Sequence, residues 1–173
     1  MDVRSPTSVS DLEGRTFSAL RKQNVVPRVD HDTKLVLCAG RRSTRKGHSS
    51  EEGSLKLGLV RCLVSKPRFL SVTLTDTEPA SLLLQKEMLF MFDSDADILL
   101  GNKEDVLIPI TLDLRGLPVE STGIVCGVAA RLVGGTKGQS AEAIEMSYLS
   151  TARAGTVMVA EHGITRAIAA LNM

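Results

Sequence analysis

The sequence has very few aromatic residues. Trp is absent, and aromatic side chains make up 3% of the 173 residues. Because single-stranded nucleic acids are bound largely by stacking bases on aromatic rings, this composition disfavours such a role. The formal net charge of +1 adds no general attraction to nucleic acid or to an anionic membrane. We therefore predict an aliphatic core and no nucleic-acid partner.

Long apolar runs are also missing. No segment of the sequence approaches the about 20 apolar residues that a membrane span needs, so no membrane span is predicted. The N-terminal residues lack the apolar region of a secretory signal. Cys38, Cys62 and Cys126 lie in apolar surroundings without the spacing of metal ligands. Their odd number and the missing signal favour reduced thiols. We expect three small core residues in a cytoplasmic protein.

Residue sets typical of catalytic or metal sites are not found in the sequence. The three histidines have no Cys or carboxylate partners in a recognisable pattern. Gly134–Gly138 fails the spacing of a phosphate-binding loop, because its lysine is followed by glycine. Asp93–Asp97 begins like a calcium loop but lacks the later glycine and glutamate. We predict no catalytic residue, no metal site and no cofactor.

The C-terminal part of the sequence predicts the order β-α-β-β-α. The predicted elements are a strand Val106–Leu114, a helix Ile124–Val133, strands Ala143–Ser150 and Gly155–Ala160, and a helix Gly163–Leu171. One face of the first helix is expected to be buried against the first strand, with Gly127 permitting a close approach. The residues of that face are Ile124, Val125, Val128, Ala129 and Leu132.

The first half of the chain follows the same order if one ambiguous segment is helical. The predicted elements are a strand Lys34–Ala39, the ambiguous segment Ser54–Val64, a hairpin of Arg68–Thr75 with Ala80–Leu84, and a helix Lys86–Phe92. Two tandem modules are predicted, at 34–100 with a basic loop at 40–53, and at 101–173. Residues 1–33 are expected to form a polar, partly disordered segment, in which a short helix Leu12–Lys22 is possible.

The turn Arg115–Gly123 carries the strongest chemical signal. Gly116 and Pro118 bend the chain, and Glu120, Ser121 or Thr122 can cap the following helix. The backbone N–H groups of Ser121 to Ile124 can hold a carboxylate, while Glu120 meets a cationic group. An ordinary helix cap with nothing bound fits the same residues.

Three segments resemble one family of regulatory modules. Leu117–Val125 is similar to a family turn that reads Leu-Gly-Phe-Asp-Glu-Cys-Gly-Ile-Val, and Ala143–Thr151 is similar to the strand that follows it. Arg68–Leu74 is similar to a strand that reads Arg-Phe-Phe-Ser-Phe-Ser-Leu. The chain thus resembles ACT-domain proteins, in particular the C-terminal half of CASTOR-like arginine sensors and the short bacterial ACT proteins. It departs where the family has Asp-Glu, at Glu120-Ser121, and where Gly155 replaces an acidic residue.

The resemblance implies an α+β fold of tandem ACT-like, ferredoxin-like βαββα modules, with a mixed or antiparallel sheet and helices on one face. It implies a non-catalytic regulatory protein that binds an amino acid and signals through a protein partner. Because the sensors carry two such halves, it also implies a homodimer. The implied ligand site consists of Glu120, Ser121, Thr122, Gly123, Ile124 and Thr151. Two alternatives remain: an ACT-fold scaffold that binds no small ligand, and a regulatory fragment of a biosynthetic enzyme.

Overall fold

The computed structural model describes residues 7–41, 49–92, 98–118, 121–134 and 144–171. The chain divides into two compact units. A continuous unit spans His31–Leu107, and a split unit combines Met1–Asp30 with Ile108–Met173. In chain order the elements are α1 (Val9–Lys22), β1 (Arg28–Val29), β2 (Leu35–Gly40), α2 (Ser49–Val64), β3 (Leu70–Thr73), β4 (Ser81–Gln85), a 3₁₀ helix (Lys86–Met91), β5 (Leu99–Leu100), β6 (Leu107–Asp113), α3 (Ile124–Gly134), β7 (Met146–Ser150), β8 (Ala154–Ala160), a 3₁₀ helix (Glu161–Gly163) and α4 (Ile164–Leu171).

The continuous unit is a small antiparallel sheet covered by α2. Its strands lie in the order β3-β4-β2-β5, and the predicted β3–β4 hairpin is confirmed. Alternate residues of β2 and β4 point into an aliphatic core that also contains Cys62 of α2. Burial raises the pKa of the Cys62 and Cys38 thiols, so both stay protonated at neutral pH.

The ambiguous segment is helical, and it was ambiguous because it is apolar on two sides. Leu55, Leu59 and Cys62 pack into the core of the continuous unit at helical spacing. Leu57 and Val60 are exposed on another side of α2. Apolar residues at both sets of positions obscure the helical period in the sequence. The segment predicted as a helix at Lys86–Phe92 forms the shorter 3₁₀ helix.

The strands of the split unit lie in the order β7-β8-β6-β1, which corresponds position by position to β3-β4-β2-β5. The edge strand β1 comes from the N-terminal segment and pairs antiparallel with β6. Ile110 and Leu112 of β6 and Val157 of β8 share one core with α1, α3 and α4. Residues that alternate along a strand point to the same face, so the helices cover one side of this sheet. The predicted α+β class with ferredoxin-like modules is confirmed.

The possible helix in the N-terminal segment is confirmed, but it is part of a folded core and not of a polar, partly disordered segment as predicted for residues 1–33. Val9–Lys22 forms a helix, and Phe17 and Leu20 are buried in the core of the split unit. The Ser8 hydroxyl accepts a hydrogen bond from the Asp11 N–H at 3.1 Å, which caps the helix. The segment is mostly polar because only a narrow stripe of α1 faces the core.

Arg131 of α3 connects the three helices of the split unit. Its Nε donates to the Ala170 carbonyl oxygen at 2.9 Å, which lies in α4. Its guanidinium forms an ion pair with Glu13 at 3.6 Å and stacks 4.4 Å from the ring centroid of Phe17, both in α1. An arginine can make these contacts together because its planar group both donates hydrogen bonds and stacks on aromatic rings.

The predicted face of α3 is correct in part. Val128 and Leu132 are fully buried, and Ile124 packs against the core. Val125 is instead 42% exposed, because it lies on the solvent side of the first turn. Cys126, the next residue along α3, was predicted to be a core residue, but it is exposed.

Gly127 does not face the strand as predicted but faces α1. A Cβ atom at this position would lie 2.6 Å from Cβ of Thr16. Since real Cβ atoms do not approach that closely, only glycine allows the two helices this separation.

Among the described helices, none is both long and apolar enough to span a membrane. Half of the predicted basic loop 40–53, residues 42–48, lies outside the described residues, and Ser49–Gly53 belongs to α2.

Candidate functional site at the start of helix α3

The structure brings most of the predicted ligand residues to the first turn of α3. Ser121, Thr122 and Gly123 directly precede the helix, which begins at Ile124. Glu120 lies outside the described residues. The Ser121 N–H is not available as predicted, because it donates to the Pro118 carbonyl oxygen at 3.0 Å.

The start of α3 has a glycine at its cap position. The Gly127 N–H donates to the Gly123 carbonyl oxygen at 2.8 Å, which closes the first helical turn and makes Gly123 the N-cap. Gly123 has no side chain to accept from the first-turn N–H groups. The N–H groups of Gly123 through Cys126 are the first four of the helix, so they have no intrahelical partners. They carry the partial positive charge of the helix terminus.

Gly123 is also fixed by its conformation and its neighbour. Its φ of +79° is a value that L-residues rarely adopt. An added Cβ would lie 2.7 Å from Cδ1 of Leu12 in α1. The turn therefore requires glycine for reasons that are independent of any ligand.

Ser121 has a hydroxyl group that is buried and unsatisfied. Its Oγ is shielded from solvent and has no hydrogen-bond partner in the described structure. Leaving a buried hydroxyl without a partner costs about 1–3 kcal/mol. This group lies two residues before the helix cap, at the end where an anion is stabilised by the helix.

Thr151 is placed in the exposed turn between β7 and β8. Its hydroxyl accepts a hydrogen bond from the Ala154 N–H at 3.1 Å and lies 3.1 Å from the Ala154 carbonyl oxygen. These contacts stabilise the turn and leave the hydroxyl less free to contact a ligand than the sequence predicted. The Leu114 N–H donates to the Arg153 carbonyl oxygen at 2.9 Å, so the same turn is joined to the end of β6.

Gly155 allows Tyr148 to lie across the start of β8. A Cβ atom at Gly155 would collide with the Tyr148 hydroxyl group. Burial raises the pKa of Tyr148, so the phenol stays neutral in the physiological range. The missing side chain at Gly155 therefore leaves space that a neutral tyrosine fills.

Leu12 and Thr16 of α1 are contacts that sequence reasoning missed. Leu12 covers Gly123, and the Thr16 hydroxyl lies 3.4 Å from the Gly123 carbonyl oxygen as well as against Gly127. The spacing of the two glycines, one helical turn apart, is the signal that could have indicated a closely packed helix here.

Asp113 and Arg115 form an ion pair where β6 leads into the turn. Arg115 Nε donates to both carboxylate oxygens, at 2.9 and 3.1 Å, and the Arg115 backbone N–H donates to Oδ1 at 3.1 Å. The Arg115 side-chain hydrogen bond, its backbone N–H and its charge, with a smaller effect of the Arg28 charge, lower the pKa of Asp113 from 3.8 to about 2.

This ion pair predicts a specific dependence of stability on acid pH. Because the folded-state pKa is below the unfolded value, ionised Asp113 stabilises the fold above about pH 4 and loses that effect as the pH falls toward 2. We expect the melting temperature of the wild type to fall more over this range than that of Asp113→Asn. Parallel melting curves against pH for the two proteins would contradict the assignment.

Within the described residues, no three His, Cys, Asp or Glu side chains are grouped in a way that could hold a metal ion. The Asp93–Asp97 segment, which begins like a calcium loop in the sequence, lies outside these residues, as does nearly all of Gly134–Gly138.

The sequence matches no protein-family model and no curated protein. Its structure is similar to that of a Vibrio cholerae protein of unknown function described as a possible transport protein, with 15% identity, 91% of this chain and 94% of the other covered, and a TM-score of 0.55. The aspartokinase α and β subunits are similar at 12% identity over 89% of this chain and 95% of the other, with a TM-score of 0.53. The Clostridium acetobutylicum aspartate kinase is similar at 12% identity and a TM-score of 0.50, over 86% of this chain and 34% of that enzyme. The chain has an ACT-like fold.

Proposed function

We propose that this chain is a non-catalytic, CASTOR-like regulatory protein that binds an amino acid at the start of α3 and signals through a protein partner. The observation that carries the proposal is the buried Ser121 hydroxyl without a partner in the described structure, next to a helix terminus with a glycine cap. A ligand carboxylate can accept hydrogen bonds from this hydroxyl and from the N–H groups of Gly123 and Ile124. Such binding offsets the cost of the buried group.

The remaining ligand contacts follow from the sequence prediction. Glu120 would meet the amino group of the ligand, as the only acidic residue of the turn. Thr122 would border the bound carboxylate. Thr151 would only border the ligand, because its hydroxyl already contacts Ala154.

Regulation follows from thermodynamic linkage. A ligand that binds only one arrangement of the protein stabilises it by RT ln(1 + [L]/Kd), about 2.7 kcal/mol at one hundred times Kd. Ligand binding thereby shifts the protein toward one arrangement and so changes the surface that a partner contacts. By linkage, the partner changes the ligand affinity by the same factor. A homodimer would place a second copy of the module beside the ligand and so supply the other half of the site.

A thermal-shift screen against the twenty amino acids tests the proposal. At least one is expected to raise the melting temperature of the wild type saturably. Ser121→Ala should bind this ligand more weakly, yet be equally or more stable without it, because the variant removes a buried unsatisfied hydroxyl. Ser147→Ala, at an exposed position of β7, is the matched control and should bind normally. No shift with any amino acid would favour the ACT-fold scaffold instead.

Sedimentation velocity tests the assembly separately. We expect a dimer whose association strengthens with the amino acid found in the screen. A monomer at all concentrations, with and without that ligand, would contradict the shared site while leaving the fold assignment unchanged.

A further inference from the structure

A polar cleft lies in the split unit, beside the end of α1. It has a volume of about 290 Å³, which is near the lower end of small-ligand sites. The residues that line it are Gln23, Asn24, Val26, Arg28, Asp113, Arg115 and Gly116. None of the residues assigned above to the start of α3 lines it.

The helix-side wall of the cleft is held by the end of α1. Asn24 has a φ of +53°, its N–H donates to the Arg21 carbonyl oxygen at 3.0 Å, and the Val25 N–H donates to the Leu20 carbonyl oxygen at 2.9 Å. These two bonds form a Schellman motif, with buried Val25 against buried Leu20 as its apolar contact. The backbone that presents Gln23 and Asn24 is therefore fixed.

The sheet-side wall places Arg28 near the Asp113–Arg115 pair. Arg28 lies opposite Thr111 in the antiparallel pairing of β1 with β6. Asp113 is two residues beyond Thr111 and so lies on the same face, in the diagonal position that long side chains reach. The fall in the pKa of Asp113 caused by the charge of Arg28 agrees with this proximity.

The charges leave one guanidinium available to a ligand. Arg115 is already bound to both oxygens of Asp113. The Arg28 side chain is exposed and forms no hydrogen bond or close ion pair within the described residues. A guanidinium fork matches a planar carboxylate, and the neighbouring amides can bind further polar atoms. The negative charge of Asp113 would repel a doubly charged phosphate more strongly than a singly charged carboxylate.

We propose that this cleft is a binding site for a small carboxylate, held by Arg28 with the Gln23 and Asn24 amides, and walled by the Arg115–Asp113 pair. The site does not depend on the proposed amino-acid site. Neutralising Asp113 strengthens binding, because Arg115 is then released toward the ligand. Removing Arg28 weakens it.

Amide chemical-shift titration of the full chain with lactate, at constant ionic strength, tests this inference. Saturable shifts are expected at Asn24, Arg28 and Gly116. Arg28→Gln should raise Kd at least about tenfold, as for a lost charge-assisted pair, and Asp113→Asn should lower it. Arg21→Gln, which removes the same charge from an exposed position of α1 outside the cleft, should change Kd less than about twofold.

Three results would overturn the carboxylate site: unsaturable shifts, equal weakening by Arg28→Gln and Arg21→Gln, or weaker binding in Asp113→Asn. Inorganic phosphate binding more tightly than lactate would overturn the assigned ligand class. The dispersion of each variant's spectrum shows directly that it is folded.

Discussion

Val128→Asp is expected to unfold or severely destabilise the split unit. Val128 is fully buried in the core shared by α3 and the sheet. A carboxylate there loses its hydration without gaining a partner, which costs several kcal/mol and is comparable to the roughly 5–15 kcal/mol of total stability of an ordinary domain. Chemical denaturation followed by circular dichroism measures the change.

Val125→Asp is the matched control for this substitution. It introduces the same charge on the same helix, but at a position that is 42% exposed. An acidic residue in a first helical turn is slightly favourable, so we expect little change in stability. If both variants are equally stable, α3 does not pack in the orientation described.

Gly127→Ala is expected to cost about 1–3 kcal/mol, a size typical of overpacking between well-fitted elements with backbone displacement. The new methyl group would lie 2.5 Å from the Thr16 hydroxyl oxygen and 2.6 Å from Thr16 Cβ. Thr16→Ala cannot fully relieve this clash, because Cβ remains. The two helices must therefore move apart, and the melting temperature should fall by many degrees.

Gly14→Ala is the control with the opposite expected sign. Gly14 lies inside α1 and has nothing within 4 Å of an added Cβ. Alanine in a helix interior is favoured over glycine by roughly 0.5–1 kcal/mol, so this variant should be more stable than the wild type. A loss of stability at Gly14 equal to that at Gly127 would argue against close α1–α3 packing.

Strands and helices with one clear apolar period were predictable from the sequence. β6, β8 and α3 combine long apolar runs with flanking turn residues, and each was located to within a few residues. The role of α1 was not predictable in the same way. Its buried face consists of Thr16, Phe17 and Leu20 on an otherwise polar helix, and Thr16 lies against glycines more than one hundred residues away.

The turn that leads into α3 was predictable from the sequence, but its hydrogen bonding was not. Gly116, Pro118 and Gly123 mark a turn into a helix from residue types alone. Backbone geometry decides which N–H groups have no hydrogen-bond partner. Here the Ser121 N–H donates to the Pro118 carbonyl oxygen, while the N-cap residue Gly123 has no side chain to accept from the helix. The Thr151 hydroxyl is taken up by a local turn for the same reason: short-range hydrogen bonds form within the chain and leave no pattern in the sequence.

The split unit also imposes an order in time on synthesis of the chain. The continuous unit contains all of its strands in one stretch, so it can fold once that stretch has emerged from the ribosome. β1 and α1 are made first, but β6 and α3, with which they pair, are made later. The hydrogen bond between Thr16 and Gly123 joins residues 107 positions apart. The apolar side chains of α1, Phe17 and Leu20, therefore stay uncovered until β6 and α3 have been made.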